Sequence, residues 1–388
     1  MTAHSPALPI DTPPPARSFS PYGRARLWLG MTNVGFWVAA ASAALAFGVP
    51  AEVFGTGNGL ALAGFVAVYA VIQSPFDWLG GYVFPRRHGR DHPPIGRYAA
   101  TWLRGVAVHG LSLWAIASGL YAASAYGGRV GLVAAAFASG LVLLAIRPRL
   151  ARLTARFRVE KNTKDSGLPL EIWRSDDEGF TGGVAGWPRA SHVVLPARWR
   201  QTLGETGFAA AQRRRELAVS SGAWVGGRVT AGGFSLAGFA ASAALVRPES
   251  LGHAAGVTEF GLWFTLWSFL GLLTLPTVSR RAVVALDRLE VASASEDPGR
   301  DARLRGLDAL QDDEPRRPRL IETIFHPLPG VASRLDHSGG EAGGPRRPGG
   351  WDAARTNVFL SWSGLSLLSR AVHCNCGRPA LWVFLPTD

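Results

Sequence analysis

Two places in this 388-residue chain carry side chains of the kind that do chemistry. The first is Glu216, in the run Arg213-Arg214-Arg215-Glu216-Leu217-Ala218-Val219. A glutamate on a helix can act as a general base when a metal-bound water stands beside it. Without that water it has nothing to activate, and Glu216 then reads as a charge on a polar helix face beside Arg213 and Arg214. The second place is His373-Cys374-Asn375-Cys376-Gly377. Two thiols and an imidazole suit zinc but need a fourth ligand, for which His326 and His337 are the candidates. The same residues also read as reactive thiols, or as a packed structural tail. His88 and His92 have a spacing that suits a metal, although a solvated loop facing lipid headgroups is the plainer reading. His109 lies within an apolar run, where a polar group is costly and often functional, or is bonded to a neighbouring helix.

The elements that must position these residues are mostly apolar helices. The chain is 47% hydrophobic and 18% charged, and about 20 apolar residues are needed to cross a bilayer. Leu27 to Gly48, Leu60 to Phe76, Gly105 to Tyr126, Val130 to Ile146, Val229 to Val246 and Phe260 to Val278 read as about six spans, of which the fourth and fifth are short. The first is long enough to remain as an anchor rather than a cleaved signal. The expected fold is therefore a mostly α, polytopic membrane protein.

The net charge of +12 invites a nucleic-acid reading, but its placement favours a membrane. Arginines gather in alternate connections: Arg17, Arg24 and Arg26; then Arg86, Arg87, Arg90, Arg97 and Arg104; then Arg147, Arg149, Arg152, Arg156 and Arg158; then Arg280 and Arg281. The intervening connections hold Arg129, Arg247 or the acid Glu52. This is the positive-inside pattern, and it places both termini and both large polar segments in the cytoplasm. The expected partner is the lipid bilayer and not nucleic acid. Lys161 and Lys164 are the only lysines. Cys374 and Cys376 would face a reducing compartment, so no structural disulfide is expected.

Along the chain, residues 1–25 read as a disordered, proline-rich tail and 26–146 as a four-span region. Gly55 to Gly59 reads as a tight connection between spans. Residues 147–228 form a first polar segment, with a basic helix from Leu150 to Arg158, strands at Leu170 to Trp173 and His192 to Leu195, and a helix from about Glu205 to Gly222. A membrane hairpin (229–278) leads to a second segment (279–337), with helices from Arg280 to about Ala292 and around Arg300 to Leu310. A Gly/Pro linker (338–350) and a compact tail (351–388) close the order, the tail expected to dock as a separate flap across the cleft.

Four landmarks between residues 165 and 337 give this layout a family resemblance. They are Thr181-Gly182-Gly183-Val184-Ala185-Gly186 followed by His192-Val193-Val194-Leu195; Arg215 to Val219; Ser279-Arg280-Arg281-Ala282-Val283-Val284-Ala285-Leu286-Asp287; and Thr323-Ile324-Phe325-His326-Pro327 with Arg334-Leu335. In order and spacing they resemble the HtpX-type and CAAX prenyl-protease family of membrane-integral zinc metallopeptidases. The resemblance implies a cytoplasmic α+β metallopeptidase-like domain, interrupted by a membrane hairpin, in a bacterial-type inner (plasma) membrane. It implies a loop at Thr181 to Gly186, a substrate-side edge strand at His192 to Leu195, and a groove formed by Gly186, His192, Val193, Val194 and Leu195. Arg280, Asp287 and His326 would be structural.

At the zinc site the resemblance breaks. Such a motif holds zinc with two histidines one helical turn apart, a third ligand from a later helix, and a glutamate beside the metal-bound water. Here the three ligand positions read Arg215, Val219 and Val283, and Glu216 remains at the base position. Arginine offers no lone pair and valine no donor atom. The expectation is a zinc-less pseudoprotease with no cofactor, acting by binding membrane-protein or peptide segments or as a regulatory scaffold, with Val219 and Val283 close together and buried. The alternatives are an active zinc endopeptidase with rearranged ligands, drawing on His326, His373, Cys374 or Cys376, and a transporter or channel built on the spans. Against the latter, the spans hold few ionisable residues beyond His109, Asp77 and Arg228.

Overall fold

The computed structural model describes residues 21–163, 167–293, 298–311, 314, 316–338 and 349–388. The side chains of His337 and most of the expected linker fall outside them, as do residues 1–20. The described residues are mostly helical, 73%, with a small sheet. Among the described residues, four helical stretches are long and apolar enough to cross a membrane: Tyr22–Ala46, Gly59–Arg87, Ile95–Ala155 and Ala254–Ala292.

Helix α1 (Pro21–Ala46) begins on a proline, whose fixed φ suits a first helical turn. Residues 21–25 therefore belong to a helix and not to the expected disordered tail. After Gly48 comes the short α2 (Val49–Phe54). Then α3 (Gly59–Trp78) starts on Asn58, whose side chain accepts the Leu60 N–H at 2.9 Å. The Gly55–Gly59 connection is tight, as expected. A π-helical turn (Leu79–Val83) carries α3 into α4 (Phe84–Arg87).

Helix α5 (Ile95–Ala155) is a hairpin folded at Gly128, where φ is 54° and ψ −139°. Arg104 Nε donates to the Leu153 carbonyl at 2.5 Å, across 49 positions. On a straight helix these residues would stand about 70 Å apart at about 1.5 Å per residue. The two arms correspond to the third and fourth expected spans. The second arm runs on through Pro148, so the basic helix expected from Leu150 to Arg158 is its last turns, and β1 (Arg158–Thr163) begins where that helix was expected to end.

The sheet has the order β1-β2-β4-β3, with β2 at Leu170–Arg174, β3 at Gly183–Trp187 and β4 at Ala190–Pro196. β4 pairs parallel with β2 and antiparallel with β3. It is therefore an inner strand, which overturns the edge-strand expectation for His192 to Leu195. The reason lies outside the run: Gly183 to Trp187 folds back as β3 and pairs with Ala190 to Val194 on the edge that β2 leaves open. The loop expected at Thr181 to Gly186 is, from Gly183 onward, the strand β3. Gly186 has φ 91° there, and a Cβ on it would come within 2.2 Å of the Ala190 carbonyl oxygen.

Helix α6 (Trp199–Ser220) breaks at Gly204, so its regular part starts at 205, as expected. α7 (Ala223–Leu245) follows Gly222. α8 (Ala254–Ser293) is one 40-residue rod through Pro276, uniting the expected last span with the helix expected from Arg280. The second polar segment adds α9 (Pro298–Gln311), which packs on α6, then α10 (Arg319–Phe325) and α11 (Val331–Ser338).

The C-terminal segment departs furthest from expectation. Residues 351–388 hold α12 (Ala353–Leu360), a 3₁₀ turn (Ser361–Gly364), a run of turns and α13 (Ala380–Val383). All are buried except Asp352, Val372 and His373, which are half-buried. The segment is no flap. It enters between α7 and α8, crosses to α5, reaches α1 and α3 at Cys376 and Gly377, and returns to the sheet and α6.

Candidate functional site

Helix α6 turns successive arginines in different directions. Arg214 and Arg215 are both fully buried. Arg214 faces α8: its Nε and Nη2 donate to Asp388 Oδ2 at 3.0 and 2.7 Å, its Nη1 to Glu290 Oε2 at 3.3 Å, and its Nη2 to the Val283 carbonyl at 3.1 Å. Asp287 Oδ1 lies 3.0 Å from the same Nη2. Arg334 of α11 donates to both oxygens of Asp287 at 2.9 and 2.6 Å and to Asp388 at 3.0 Å. Arg303 of α9 holds Glu290 at 2.9 and 2.8 Å, and Trp351 Nε1 donates to Asp388 Oδ1 at 2.7 Å.

Three arginines thus meet three acids, joining α6, α8, α9, α11 and the tail in one clasp. The guanidinium groups hold the Asp287 and Asp388 carboxyls below the usual carboxylate range, against the opposing effect of burial. Burial draws Arg303 down to about 10, still charged at neutral pH. The carboxylate oxygens are taken up by N–H donors, so the cluster offers no open oxygen set for a cation. Among the described residues no group of three or more His, Cys, Asp or Glu side chains is placed to hold a metal ion.

Beside the clasp, Val283 is buried in an apolar cluster with Ala218, Trp224, Leu286 and Trp351, and Val219 packs half-buried against it. The two valines share one cluster, Val283 within it and Val219 at its margin. Arg215, at a vacated ligand position, turns toward the segment that leads into β3. Its Nη2 donates to the Thr181 carbonyl at 2.7 Å, its Nη1 to Ala211 at 3.2 Å, and its guanidinium lies 5.2 Å from the Trp199 ring. Burial lowers its pKa to about 9, so it too stays charged at neutral pH. Glu216 is half-buried, accepts from Gln212 Nε2 at 3.0 Å and sits against Gly167.

The remaining candidates are spread out. His192 is half-buried with Nε2 3.8 Å from Glu171, and burial lowers its pKa against the pull of that acid. The Gly186 carbonyl accepts from Arg228 Nη1 at 2.7 Å. Arg280 Nη1 donates to the Glu322 and Thr323 carbonyls at 2.6 and 2.8 Å, placing a cation at the C-terminal end of α10, where it is favourable. The buried His326 ring meets His373 at 5.1 Å between centroids. His88 Nδ1 lies 2.8 Å from the Phe84 carbonyl and His92 Nδ1 3.2 Å from that of Arg90.

Cys374 and Cys376 are both buried and free, and they face different places. The Cys376 thiol donates to the Phe76 carbonyl at 3.2 Å and accepts from Asn33 at 3.5 Å, whereas Cys374 lines a groove between α1 and α8 with His373. The His-Cys-x-Cys run therefore does not converge on one point.

Sequence reasoning missed a polar seam where the tail meets the apolar helices. Asp77 accepts from Gln73 Nε2 at 3.1 Å, Trp102 Nε1 at 3.1 Å and the Gly377 N–H at 3.0 Å. Arg370 lies 3.6 Å from Asp77, between the rings of Trp382 and Tyr69 at 4.5 and 5.2 Å. Ser369 Oγ sits 3.3 Å from both His109 Nε2 and the Tyr69 hydroxyl. The available signal was a set of polar residues on apolar helices, Asn33, Gln73, Asp77 and His109, each needing an internal partner.

No protein-family model matches this chain, and no curated protein matches its sequence.

Proposed function

We propose that this is a membrane-integral, metallopeptidase-like protein that works without zinc chemistry, as a binding or regulatory scaffold in the bacterial-type inner (plasma) membrane. In this reading the chain crosses the bilayer six times, through α1, α3, both arms of α5, α7 and α8, with the sheet, α6 and α9 to α11 on the cytoplasmic side. The bilayer is its first partner, and membrane-protein or peptide segments are the others. Docking of an extended segment on His192 to Leu195 is not carried forward, because β4 has a neighbour on each side.

One observation carries the reading. Where a peptidase would hold zinc between α6 and α8, the two helices are joined by Arg214, Asp287, Glu290 and Asp388 and by packing around Val283. Arginine and valine supply no lone pair to a metal, and the nearby carboxylates are engaged by guanidinium groups. A structural zinc stabilises a fold by on the order of 10 kcal/mol; here buried ion pairs and hydrocarbon hold the same junction. The irregular backbone of 361–379 among apolar helices fits a membrane setting as well. Such backbone is tolerated at that depth only when enclosed by protein, and these residues are almost wholly buried.

The test is metal content and thermal stability of the purified full chain in mild detergent. We expect well under one zinc per chain, and an unfolding temperature unchanged by a strong chelator. About one zinc per chain, with stability lost on chelation, overturns the reading.

A further inference from the structure

We propose that the groove between α1 and α8 is a binding site for one anionic phospholipid, its headgroup at Arg355 and an acyl chain along the two helices. The proposal rests on the membrane placement of α1 and α8 and is independent of the missing zinc ligands.

The groove has a volume of about 300 Å³, at the lower end of the 300–1,000 Å³ usual for small-molecule sites. Its walls include Met31 and Val34 of α1 and Phe269, Leu272 and Pro276 of α8, with the tail as its floor. Gly35 keeps it open: a Cβ there would meet nothing within 4 Å. Hydrocarbon walls between two apolar helices suit an acyl chain.

The exception in the lining is Arg355. It is 8% exposed, and its Nε and Nη1 have no hydrogen-bond partner among the described residues. An arginine stays charged, and a buried charge without partners is costly. Asp352 is an acid whose field it shares, and Arg147 acts on the same carboxyl. The preceding residue, Ala354, donates its N–H to Ser279 Oγ at 2.9 Å. That contact places Arg355 where α8 leaves its apolar stretch and reaches Arg280 and Arg281, the level of lipid headgroups. A phosphate there would supply the charge-assisted hydrogen bonds that the guanidinium lacks.

A second apolar groove, between α5 and α7, makes the contrast. It holds Arg228, which is half-buried, donates through Nη1 to Gly186 and lies 4.0 Å from the Trp224 ring, although its Nε and Nη2 are also without a partner among the described residues. The α1–α8 groove differs in that its arginine is the more deeply buried of the two and makes no side-chain hydrogen bond to protein among the described residues.

The experiment is native mass spectrometry of the full chain, delipidated in detergent and offered phosphatidylglycerol and phosphatidylcholine in equal amounts. We expect about one phosphatidylglycerol retained per chain, favoured about tenfold, equivalent to about 1.4 kcal/mol. R355Q should abolish the preference and R355K should keep part of it. G35L, which fills the groove without touching Arg355, should reduce retention of both lipids. Equal retention of the two lipids by the wild-type chain, or an unchanged preference in R355Q, overturns the site. If R355Q does not fold, G35L decides alone: undiminished retention rejects the groove. A chain that stays monodisperse in water without detergent refutes the membrane placement itself, an outcome distinct from lost selectivity in a detergent-solubilised protein.

Discussion

Arg214 and Arg370 are both wholly buried, yet they are held in opposite ways. Arg214 has carboxylates at 2.7 to 3.3 Å and a backbone carbonyl at 3.1 Å. Arg370 has no guanidinium nitrogen in hydrogen-bonding geometry among the described residues; it has Asp77 at 3.6 Å and two ring faces. The first environment is directional, and it fixes the register of α6, α8, α9, α11 and the tail against one another. The second acts through charge and stacking, which tolerate small displacements. The clasp therefore determines where the tail's ends lie, while the seam keeps its middle among the helices.

The largest test of that contrast is Arg214→Met. It leaves three buried acids facing two arginines, and breaking a buried pair from one side costs about 3–5 kcal/mol. Thermal unfolding followed by tryptophan fluorescence should show a loss of that size; a loss under about 1 kcal/mol would mean that the clasp does not anchor the fold. Arg370→Met should cost less, about 1–3 kcal/mol, because Asp77 keeps its three neutral donors. A reversed order would show that the seam dominates.

Acid should act on the clasp with a definite sign. Asp287 and Asp388 have folded-state pKa values held below the ordinary carboxylate value. Their contribution is fully present above an unfolded value of about 3.9 and is lost as pH falls through the lower folded values. Hydrogen exchange in residues 380–388 should stay slow from pH 7 to about 4 and quicken only below. Asp388→Asn should raise exchange there already at neutral pH. The smallest effect belongs to Glu216→Gln, within about 0.5 kcal/mol, since the partner of Glu216 is the neutral Gln212 on a half-exposed face. A larger loss would give Glu216 a role that its surroundings do not suggest.

Much of the helical framework could be read from the residues. Gly204 marks where α6 becomes regular, and the break between the two arms of α5 falls at Gly128, between two apolar runs. β4 was misplaced because a short apolar run does not declare how many neighbours it has; that depends on β2 and β3 lying on either side. The clasp was illegible for a similar reason. Arg214 and Asp388 lie 174 positions apart, and neither residue carries a local mark of the other. Charged groups met at such separation leave no periodicity to detect. The tail misled most: the Gly/Pro linker before it suggests a separate flap, although Gly377 bonds to Asp77 across 300 positions.

Trp351 and Asp388, 37 positions apart, touch through a 2.7 Å hydrogen bond. The stretch between them enters and leaves by the same doorway and makes a bight rather than a thread. A bight can be laid into a preassembled set of helices, or lifted out, without any free end being drawn through.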